Sequence, residues 1–324
     1  MKPEDKTIRI GAAVILAAVL LRLFAGNLPG KLVAFFSQQE VAAALVFAQT
    51  GRVIRFPEVT SPAPTQQTEP TVMQQAPAVF SAEDAQLISI NNASGYTVDT
   101  ETFLSAPLTW ELIGQAPTVL ILHTHGSESY TGSCDNETTY RTLDEAKNML
   151  AVGDLVASLL EGAGIGVIHD RTIHDYPSYN GAYNHARTQT DAYLKEYPSI
   201  RLILDLHRDA MEDGTGKQLC TTVDVKGQKS SQLMMVVGSS AGGLHHPAWQ
   251  ENMALALKLH VQLEKLYPGI CRPVSFRYQR FNQDLSPGAM LIEVGTAGNT
   301  LPQALVAAQC LANAIIALSM GANC

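Results

Sequence analysis

Short apolar runs alternate with amphipathic stretches along most of the chain. Apolar runs predict strands at 118–124, 164–169, 201–206, 233–238 and 289–294, and helical spacing predicts helices at 143–161, 188–197, 249–266 and 301–320. Strands that alternate with helices are typical of βαβ units. We therefore expect residues 107–324 to form an α/β domain, with a mostly parallel sheet flanked by helices.

The first residues have a different pattern. Lys2 and Lys6 precede a nearly continuous apolar run at 8–26, which is long enough to cross a bilayer. The basic flank places the amino terminus in the cytoplasm, so we expect a cytoplasmic tail at 1–7 and one transmembrane anchor at 8–26. A cleaved signal peptide shares this layout, but no clear small-x-small cleavage site follows the apolar run.

Residues 27–106 connect this anchor to the domain. Residues 32–51 contain two apolar halves around a polar centre, each too short to span a bilayer, which favours an amphipathic or membrane-surface helix. From 56 to 82 the composition changes to Pro, Thr, Gln and Ala, which predicts an extended, disordered linker. We expect the domain to stand outside the cell membrane at the end of this linker.

Composition and charge exclude one class of partner. The chain has a net charge of −8 and only 16% charged residues, so the basic surface that nucleic-acid binding needs is not visible. A hydrophobic content of 46% is enough for a packed core. The five cysteines have no CxxC spacing, which argues against a thiolate zinc site and leaves open one disulfide.

Two histidines follow apolar strands directly, and carboxylates lie close to both. His125 and His207 would meet at one edge of a parallel sheet, because the carboxyl ends of parallel strands lie together. Glu128 lies three residues after His125, and Glu293 lies inside the last predicted strand. Two imidazoles and one carboxylate are typical ligands of a hydrolytic zinc site. The pattern predicts Zn²⁺ bound by His125, Glu128 and His207.

Two of these ligands have competitors. Alternation along the strand puts His123 and His125 on the same face, so that either binds the metal and the other supports it. We favour His125 because it lies beside a glycine, where the backbone opens. Glu145, at the mouth of the following helix, competes with Glu128.

The remaining charged residues suggest catalytic roles. An ionised glutamate in a buried strand is costly unless a positive charge or a metal compensates it, so Glu293 is interpreted as the general acid/base. An aspartate such as Asp205 or Asp209 beside a ligand histidine often orients its imidazole. Arg208 either binds a substrate carboxylate or pairs with one of these aspartates.

Two further clusters have weaker chemical signals. Residues 280–284 are candidates for lining a substrate groove, although the segment Asn282-Gln283-Asp284 is also typical of a plain turn. Adjacent His245 and His246 rarely converge on one metal ion, which favours a cap or loop role.

Four motifs resemble a known family. They are HTHGSESY at 123–130, VIHDRTIHDYPSYNGAY at 167–183, LDLHRDA at 204–210 and RFNQDLSPGAMLIEVGTAGNT at 280–300. In this order, and with the predicted anchor and linker, they resemble the stage II sporulation protein P family of endospore-forming bacteria. The resemblance implies a membrane-anchored, zinc-dependent N-acetylmuramoyl-L-alanine amidase, and endopeptidase activity is also attributed to this family.

The resemblance also implies a location and partners. Members act on peptidoglycan in the intermembrane space of the sporulation septum, during septal thinning and forespore engulfment, together with the stage II sporulation proteins D and M. The chain is similar in layout to the type 3 cell-wall amidases, whose site residues fall on His125, His207 and Glu293. That similarity favours Glu145 as the third ligand, whereas the sporulation family's own motif favours Glu128.

Two other functions remain alternatives at this point. A zinc carboxypeptidase of similar α/β layout would use the same ligands on free peptides. A non-catalytic scaffold, tethered to the membrane and recruiting other wall enzymes, would not need the predicted site residues.

Overall fold

The computed structural model describes residues 80–108, 111–114 and 116–321. The predicted cytoplasmic tail, the predicted anchor at 8–26 and the linker up to residue 79 lie outside the described residues.

Within the described residues, nine strands and five helices form the domain. Seven of the strands make one large sheet at its centre, and the other two make a separate hairpin. The strands are β1 (Ile90–Asn92), β2 (Pro117–Leu122), β3 (Gly166–His169), β4 (Leu202–Asp209), β5 (Thr222–Val225), β6 (Gln228–Ser231), β7 (Leu233–Val237), β8 (Val274–Phe276) and β9 (Ala289–Thr296). The helices are α1 (Thr100–Ser105), α2 (Met149–Gly162), α3 (Ala182–Glu196), α4 (Trp249–Leu266) and α5 (Leu301–Ser319), and short 3-10 helices lie at Ala82–Leu87 and Gln283–Leu285.

The strand order is β1-β8-β7-β9-β4-β2-β3, and β5 and β6 form a separate antiparallel hairpin. Neighbouring strands of the large sheet are parallel except β7 and β9, which are antiparallel. The expectation of a mostly parallel sheet flanked by helices is therefore confirmed. The antiparallel junction joins two parallel halves that run in opposite directions.

The alternation of side chains divides each central strand between two faces. On one face, residues such as Val119, Leu204 and Ile292 pack into the large core that α2, α4 and α5 cover. On the other face, Leu120 and Ile203 pack against Ala186 of α3. Met234, Val236 and Leu291 form a separate small cluster on β7 and β9. Apolar packing on the α3 face is thus divided into two smaller clusters.

Part of the predicted linker belongs to the domain. The linker was expected to extend to residue 106, but β1 pairs with β8 in the large sheet. The carbonyl of Phe103, on α1, accepts a hydrogen bond from the Nζ of Lys258, on α4, at 2.6 Å. Leu104 is buried in the core. Residues 80–106 therefore contribute structure to the domain, and apolar side chains such as Ile88, Ile90 and Phe103 pack against its core.

Two helix starts differ from the predicted ones. The helix expected at 143 begins at Met149, because the Asn148 side chain caps it by accepting a hydrogen bond from the backbone N–H of Leu150 at 3.0 Å. The helix expected at 188 begins at Ala182, directly after Gly181, whose φ is 97°. This second helix starts early enough to bring Tyr183 to the site described below.

Helix α5 is long and apolar enough to cross a membrane by length and composition, with a mean hydropathy of 1.6. Half of that window is buried inside the domain, where residues such as Leu311 and Ile315 pack into the core. Within the described part of the chain it is the one helix that meets these criteria.

Candidate metal centre

Three neighbouring strands place side chains together on the α3 face of the sheet. His207 of β4 lies opposite Glu293 of β9, and Glu293 lies opposite Met234 of β7. His207 shares its face with Ile203, and Glu293 shares its face with Leu291, because residues two apart point the same way. The sheet therefore places an imidazole and a carboxyl group side by side.

The loop after β2 adds the other two predicted ligands. The Nδ1 of His125 lies 3.5 Å from one oxygen of Glu128, and the Nδ1 of His207 lies 3.5 Å from the other. One donor atom from each residue lies within 4.8 Å of the others, and all three residues are buried. The structure thus brings His125, Glu128 and His207 together, with the carboxylate between the two imidazoles.

The surroundings of Glu128 favour its ionised form. Burial acts to raise the pKa of this carboxyl, but the positive charge of Arg208 and the two histidines outweigh it and hold the pKa well below its usual range. The backbone N–H of Arg208 donates to Oε2 of Glu128 at 3.2 Å, and Arg141 lies 3.6 Å from Oε1. A fixed, ionised carboxylate is the form that binds a metal.

Asp205 lies in ion-pair contact with the His207 ring. One oxygen of Asp205 lies 2.8 Å from the Nε2 of His207, while the Thr124 backbone N–H and hydroxyl donate to the carboxylate at 2.8 and 2.6 Å. Burial acts to raise the pKa of Asp205, but His207 reverses this and lowers it. Burial likewise acts to lower the pKa of His207, and Asp205 and Glu128 raise it well above the ordinary value. The Nδ1 atom is left facing the other two ligands, as in carboxylate–histidine–metal arrangements.

This donor set fits a zinc ion. Two imidazoles and one carboxylate, with an aspartate behind one histidine, match the composition of hydrolytic zinc sites. The fit rests on the close approach of the three donor groups in a buried position that an adjacent cavity reaches.

The competing ligands lie elsewhere. His123 is fully buried, and its Nδ1 faces the carbonyl of Leu206 at 3.0 Å while its Nε2 faces the Nε2 of His169 at 2.9 Å. Burial and the neighbouring His169 lower the pKa of His123 to about 3. Glu145 pairs with Arg171 at 2.6 Å on the surface. Neither competitor joins the His125, Glu128 and His207 cluster.

Glu293 is a half-buried acid beside this cluster. Burial is the main reason that its pKa is raised to about 8, and the nearby Glu128 and Asp209 act in the same direction. Its Oε2 atom has no hydrogen-bond partner within the described residues. A carboxyl group with a raised pKa and a free oxygen can accept and return a proton, which is what a general acid/base does.

Arg208 is committed to the protein itself. Its Nε donates to the carbonyl of Ser129 at 3.0 Å, and a terminal nitrogen donates to the carbonyl of Tyr140 at 2.9 Å. Asp205 faces His207 instead, and Asp209 pairs with Arg272 at 2.8 Å. Of the two alternatives for Arg208, pairing with Asp205 or Asp209 is therefore not what the structure shows, because the loop carbonyls and Glu128 occupy its guanidinium.

The loop at 280–284 is also tied to the fold. Asp284 accepts hydrogen bonds from Arg187 at 2.8 and 2.9 Å and pairs with Arg280 at 3.1 Å. Asn282 donates to the carbonyl of Tyr183 at 2.7 Å. Of this loop, only Phe281 lines the cavity beside the candidate ligands.

A cavity of about 360 Å³ lies over the candidate ligands. Its lining consists of His125, Glu128, Tyr183, His207, Arg208, Asp209, Ala210, Met234, Val236, Arg277, Gln279, Phe281, Leu291 and Glu293. The floor is apolar where Met234, Val236 and Leu291 form their small cluster. The cavity thus combines the Glu293 carboxyl group and the three potential metal ligands with an apolar floor and polar walls.

Aromatic residues around His125 were missed by the sequence analysis. Tyr179 stacks on the His125 ring with centroids 4.6 Å apart, and Tyr183 meets the same ring edge-on at 5.6 Å. Tyr179 is 55% exposed, and the guanidinium of Arg141 lies 4.8 Å from its ring centre. Both tyrosines belong to the motif at 167–183, but nothing in their spacing shows that they contact a strand-end histidine.

A second group of potential metal donors has a structural explanation. His260, Glu264 and Cys271 have donor atoms within 4.8 Å of one another. Both carboxylate oxygens of Glu264 already accept backbone N–H groups, from Gly269 at 2.8 Å and from Cys271 at 2.7 Å. We interpret this group as the support of the turn after α4. The four cysteines among the described residues are free.

Comparison with known proteins identifies the family. The model of the Stage II sporulation protein P family matches residues 37–316, and the chain belongs to this family. Stage II sporulation protein P of Bacillus subtilis (strain 168) is 30% identical over 214 residues, which are 62% of this chain and 50% of that protein. The chain spans about half the length of this curated relative.

Several solved structures are similar at low sequence identity. An N-acetylmuramoyl-L-alanine amidase from Clostridium difficile 630 has a TM-score of 0.41 and 14% identity, covering 63% of this chain and 97% of that one. The CwlD amidase from Clostridioides difficile, in complex with the GerS lipoprotein, has a TM-score of 0.39 and 15% identity, covering 63% and 95%. An amidase from Nostoc punctiforme has a TM-score of 0.38 and 14% identity, covering 62% and 97%.

Proposed function

We propose that this chain is a zinc-dependent peptidoglycan hydrolase that cleaves the amide bond between N-acetylmuramic acid and L-alanine. Membership of the Stage II sporulation protein P family supports a role in sporulation and on the cell wall. The observation that carries the chemistry is the position of Glu293. One carboxyl oxygen of this half-buried residue is shielded from solvent and has no hydrogen-bond partner within the described residues, and the side chain lies beside His207 in the cavity that holds the three candidate ligands.

His125, Glu128 and His207 would hold the zinc ion. When bound, zinc supplies Lewis-acid polarisation of the amide carbonyl and lowers the pKa of a bound water toward about 7. Asp205 keeps the His207 ring in the orientation that presents Nδ1, since it faces Nε2 at 2.8 Å. Arg208 holds Glu128 and the loop carbonyls, so it acts as a positioning residue rather than as a contact for substrate.

Glu293 moves the proton. Its carboxylate accepts a proton from the attacking water and returns it to the leaving amine nitrogen of alanine, so that the C–N bond breaks and a neutral amine leaves. The cavity wall of Tyr183 and Phe281 and the apolar floor limit the water around this proton. Burial raises the pKa of Glu293 to about 8, and the positive charge of a bound zinc ion would lower it, so that the carboxylate form is available to accept the proton in the zinc-loaded chain.

The proposal includes a location and partners. The apolar run at 8–26 anchors the chain in the cell membrane as a single span, and the domain faces outward into the space between the septal membranes. The peptidoglycan of the septum is the substrate, and the stage II sporulation proteins D and M are the proposed partners. Peptide cross-links are a second proposed class of substrate, because the same site would hydrolyse a peptide amide.

Digestion of purified peptidoglycan tests this proposal. The full chain, loaded with zinc, is expected to release stem peptides with a new L-alanine amino terminus, measured by mass spectrometry of the soluble products. Products cut only between amino acids would favour a peptidase and contradict the amidase assignment. Release of no products by the zinc-loaded chain, alone or with its proposed partners, would favour the scaffold alternative.

A further inference from the structure

The segment after β8 forms one wall of the cavity. Arg277, Gln279 and Phe281 all line the cavity, whereas the residues between them do not. Backbone hydrogen bonds fix this segment, since the N–H of Arg277 donates to the carbonyl of Val237 at 2.8 Å and the carbonyl of Gln279 accepts from Ser239 at 3.1 Å. The wall therefore presents a cation, an amide and an aromatic ring from a well-supported backbone.

Glycine makes the close approach of this wall possible. A Cβ atom at Gly238 would lie 2.5 Å from the carbonyl oxygen of Gln279 and 2.7 Å from that of Arg280. Any larger residue would push the segment away from the end of β7. The position of the wall is thus set by packing against the sheet.

The wall has a direction relative to the candidate zinc ligands. Phe281 lies at the end near the ligands, because its ring is 6.1 Å from that of Tyr183, which in turn contacts His125. Arg277 is four residues away, which separates it from Phe281 by up to about 14 Å along the backbone. A fully extended peptide that leaves the scissile amide along this wall would pass Gln279 and span about 14 Å in about four residues, and the lengths of the arginine side chain and of an acidic side chain reduce this to about two.

The guanidinium of Arg277 is available for a ligand. Its Nε donates to the hydroxyl of Ser275 at 2.8 Å, and it has no ion pair within the part of the chain that the structure describes. Three other arginines near the cavity already bind groups of the protein. Arg208 serves Glu128 and loop carbonyls, Arg272 pairs with Asp209, and Arg280 pairs with Asp284.

We propose that Arg277 and Gln279 form a subsite for an acidic peptide, in which Arg277 binds a carboxylate one or two residues beyond the scissile amide and Gln279 pairs with the peptide backbone. This subsite rests on the proposed function and names the part of the substrate that the site selects. Arginine suits this task because two of its N–H groups match the two oxygens of a carboxylate. An exposed side chain held by Ser275 loses little freedom on binding.

Paired substrates test this subsite. Muramoyl peptides that differ only in a free or amidated carboxylate at the second residue are hydrolysed by the full zinc-loaded chain and by Arg277→Gln. We expect the wild type to prefer the free acid by about tenfold or more in kcat/KM, as charge-assisted hydrogen bonds contribute, and Arg277→Gln to lose this preference. Arg277→Lys should retain part of it, and Arg201→Gln, at the other end of β4, should keep all of it.

A binding measurement separates this proposal from the proposed function. Calorimetry of the free stem peptide with and without the carboxylate needs no catalysis, and it uses the same variants. Carboxylate-dependent binding that Arg277→Gln abolishes supports the subsite even if the chain does not hydrolyse peptidoglycan. The subsite would be overturned if Arg277→Gln kept the same ratio of kcat/KM values for the two substrates as the wild type, or if the affinity did not depend on the carboxylate. Either result would leave the amidase assignment intact.

Discussion

Two histidine pairs lie on either side of the end of β2, and they differ in what separates the rings. His123 and His169 face each other directly at 2.9 Å, and the other ring nitrogen of His123 faces a backbone carbonyl. His125 and His207 have ring centroids 5.1 Å apart with the Glu128 carboxylate near both Nδ1 atoms. The first pair is satisfied by protein groups, whereas the second presents donor atoms to a cavity.

This difference shows what makes a histidine pair suitable for a metal. Burial and the neighbouring His169 lower the pKa of His123 to about 3, so its ring stays neutral. His207 is equally buried, but Asp205 and Glu128 raise its pKa, so positive charge is favoured at that point. A group of carboxylates that stabilises a positive charge on an imidazole also stabilises a metal ion in the same place.

Replacement of Glu128 should have the largest effect on the site. Glu128→Gln removes the negative charge between the two imidazoles, so we expect loss of bound zinc and loss of wall hydrolysis to background. Zinc content by elemental analysis and release of soluble peptides measure the two effects. Glu145→Gln is the matched control, because Glu145 pairs with Arg171 on the surface, and loss of zinc in that variant would contradict the ligand assignment.

Replacement of Glu293 should separate chemistry from metal binding. Glu293→Gln keeps the size of the side chain but cannot carry the proton, so kcat should fall by about 10²- to 10⁴-fold. Zinc content should remain that of the wild type. A variant that loses zinc would make Glu293 a ligand, and one with normal kcat would show that the proton moves through another group.

Replacement of Asp205 should weaken zinc binding by the His125 and His207 pair without abolishing it. Asp205→Asn leaves an amide facing His207 and Thr124, and zinc affinity should fall by about 10- to 100-fold. Competition with a chelator measures this change. Asp213→Asn, in an exposed loop, should bind zinc like the wild type. An unchanged affinity in Asp205→Asn would mean that His207 is oriented by other contacts.

Replacement of Gly153 should disturb the His123 and His169 pair and leave the candidate metal ligands unchanged. A Cβ atom there would lie 2.5 Å from the Nε2 atoms of both His123 and His169. We expect Gly153→Ala to lower the free energy of unfolding by about 1–3 kcal/mol through this overpacking, less any gain in helix propensity. Urea denaturation measures the change. Zinc content should not change, and a loss of zinc by the folded variant would link the two pairs.

The sequence predicted most of the sheet and the convergence of the site. Strand-end positions selected His125 and His207 as candidates, and its position inside an apolar strand selected Glu293, because an ionised side chain is costly to bury without a compensating charge or metal. The structure places all three around one cavity, together with Glu128. These features depend on local pattern and on the shared direction of neighbouring strands.

Other features depend on contacts between distant parts of the chain. Alternation put His123 and His125 on one face, but β2 ends at Leu122, so the alternation does not continue through the loop. Glu145 competed with Glu128 as the third zinc ligand because the sequence cannot show that its side chain pairs with Arg171 on the surface. The antiparallel β7, the stacking of Tyr179 on His125 and the packing of residues 80–106 likewise arise from long-range contacts.

The zinc content of two matched histidine variants decides whether His125 or His123 binds the metal. His125→Ala and His123→Ala remove histidines two positions apart from the same loop, and bound zinc is measured on the full folded chain after dialysis against a weak chelator. We expect about one zinc ion per chain in the wild type and in His123→Ala, and none in His125→Ala. Loss of zinc in His123→Ala with retention in His125→Ala would contradict the assignment of the metal centre.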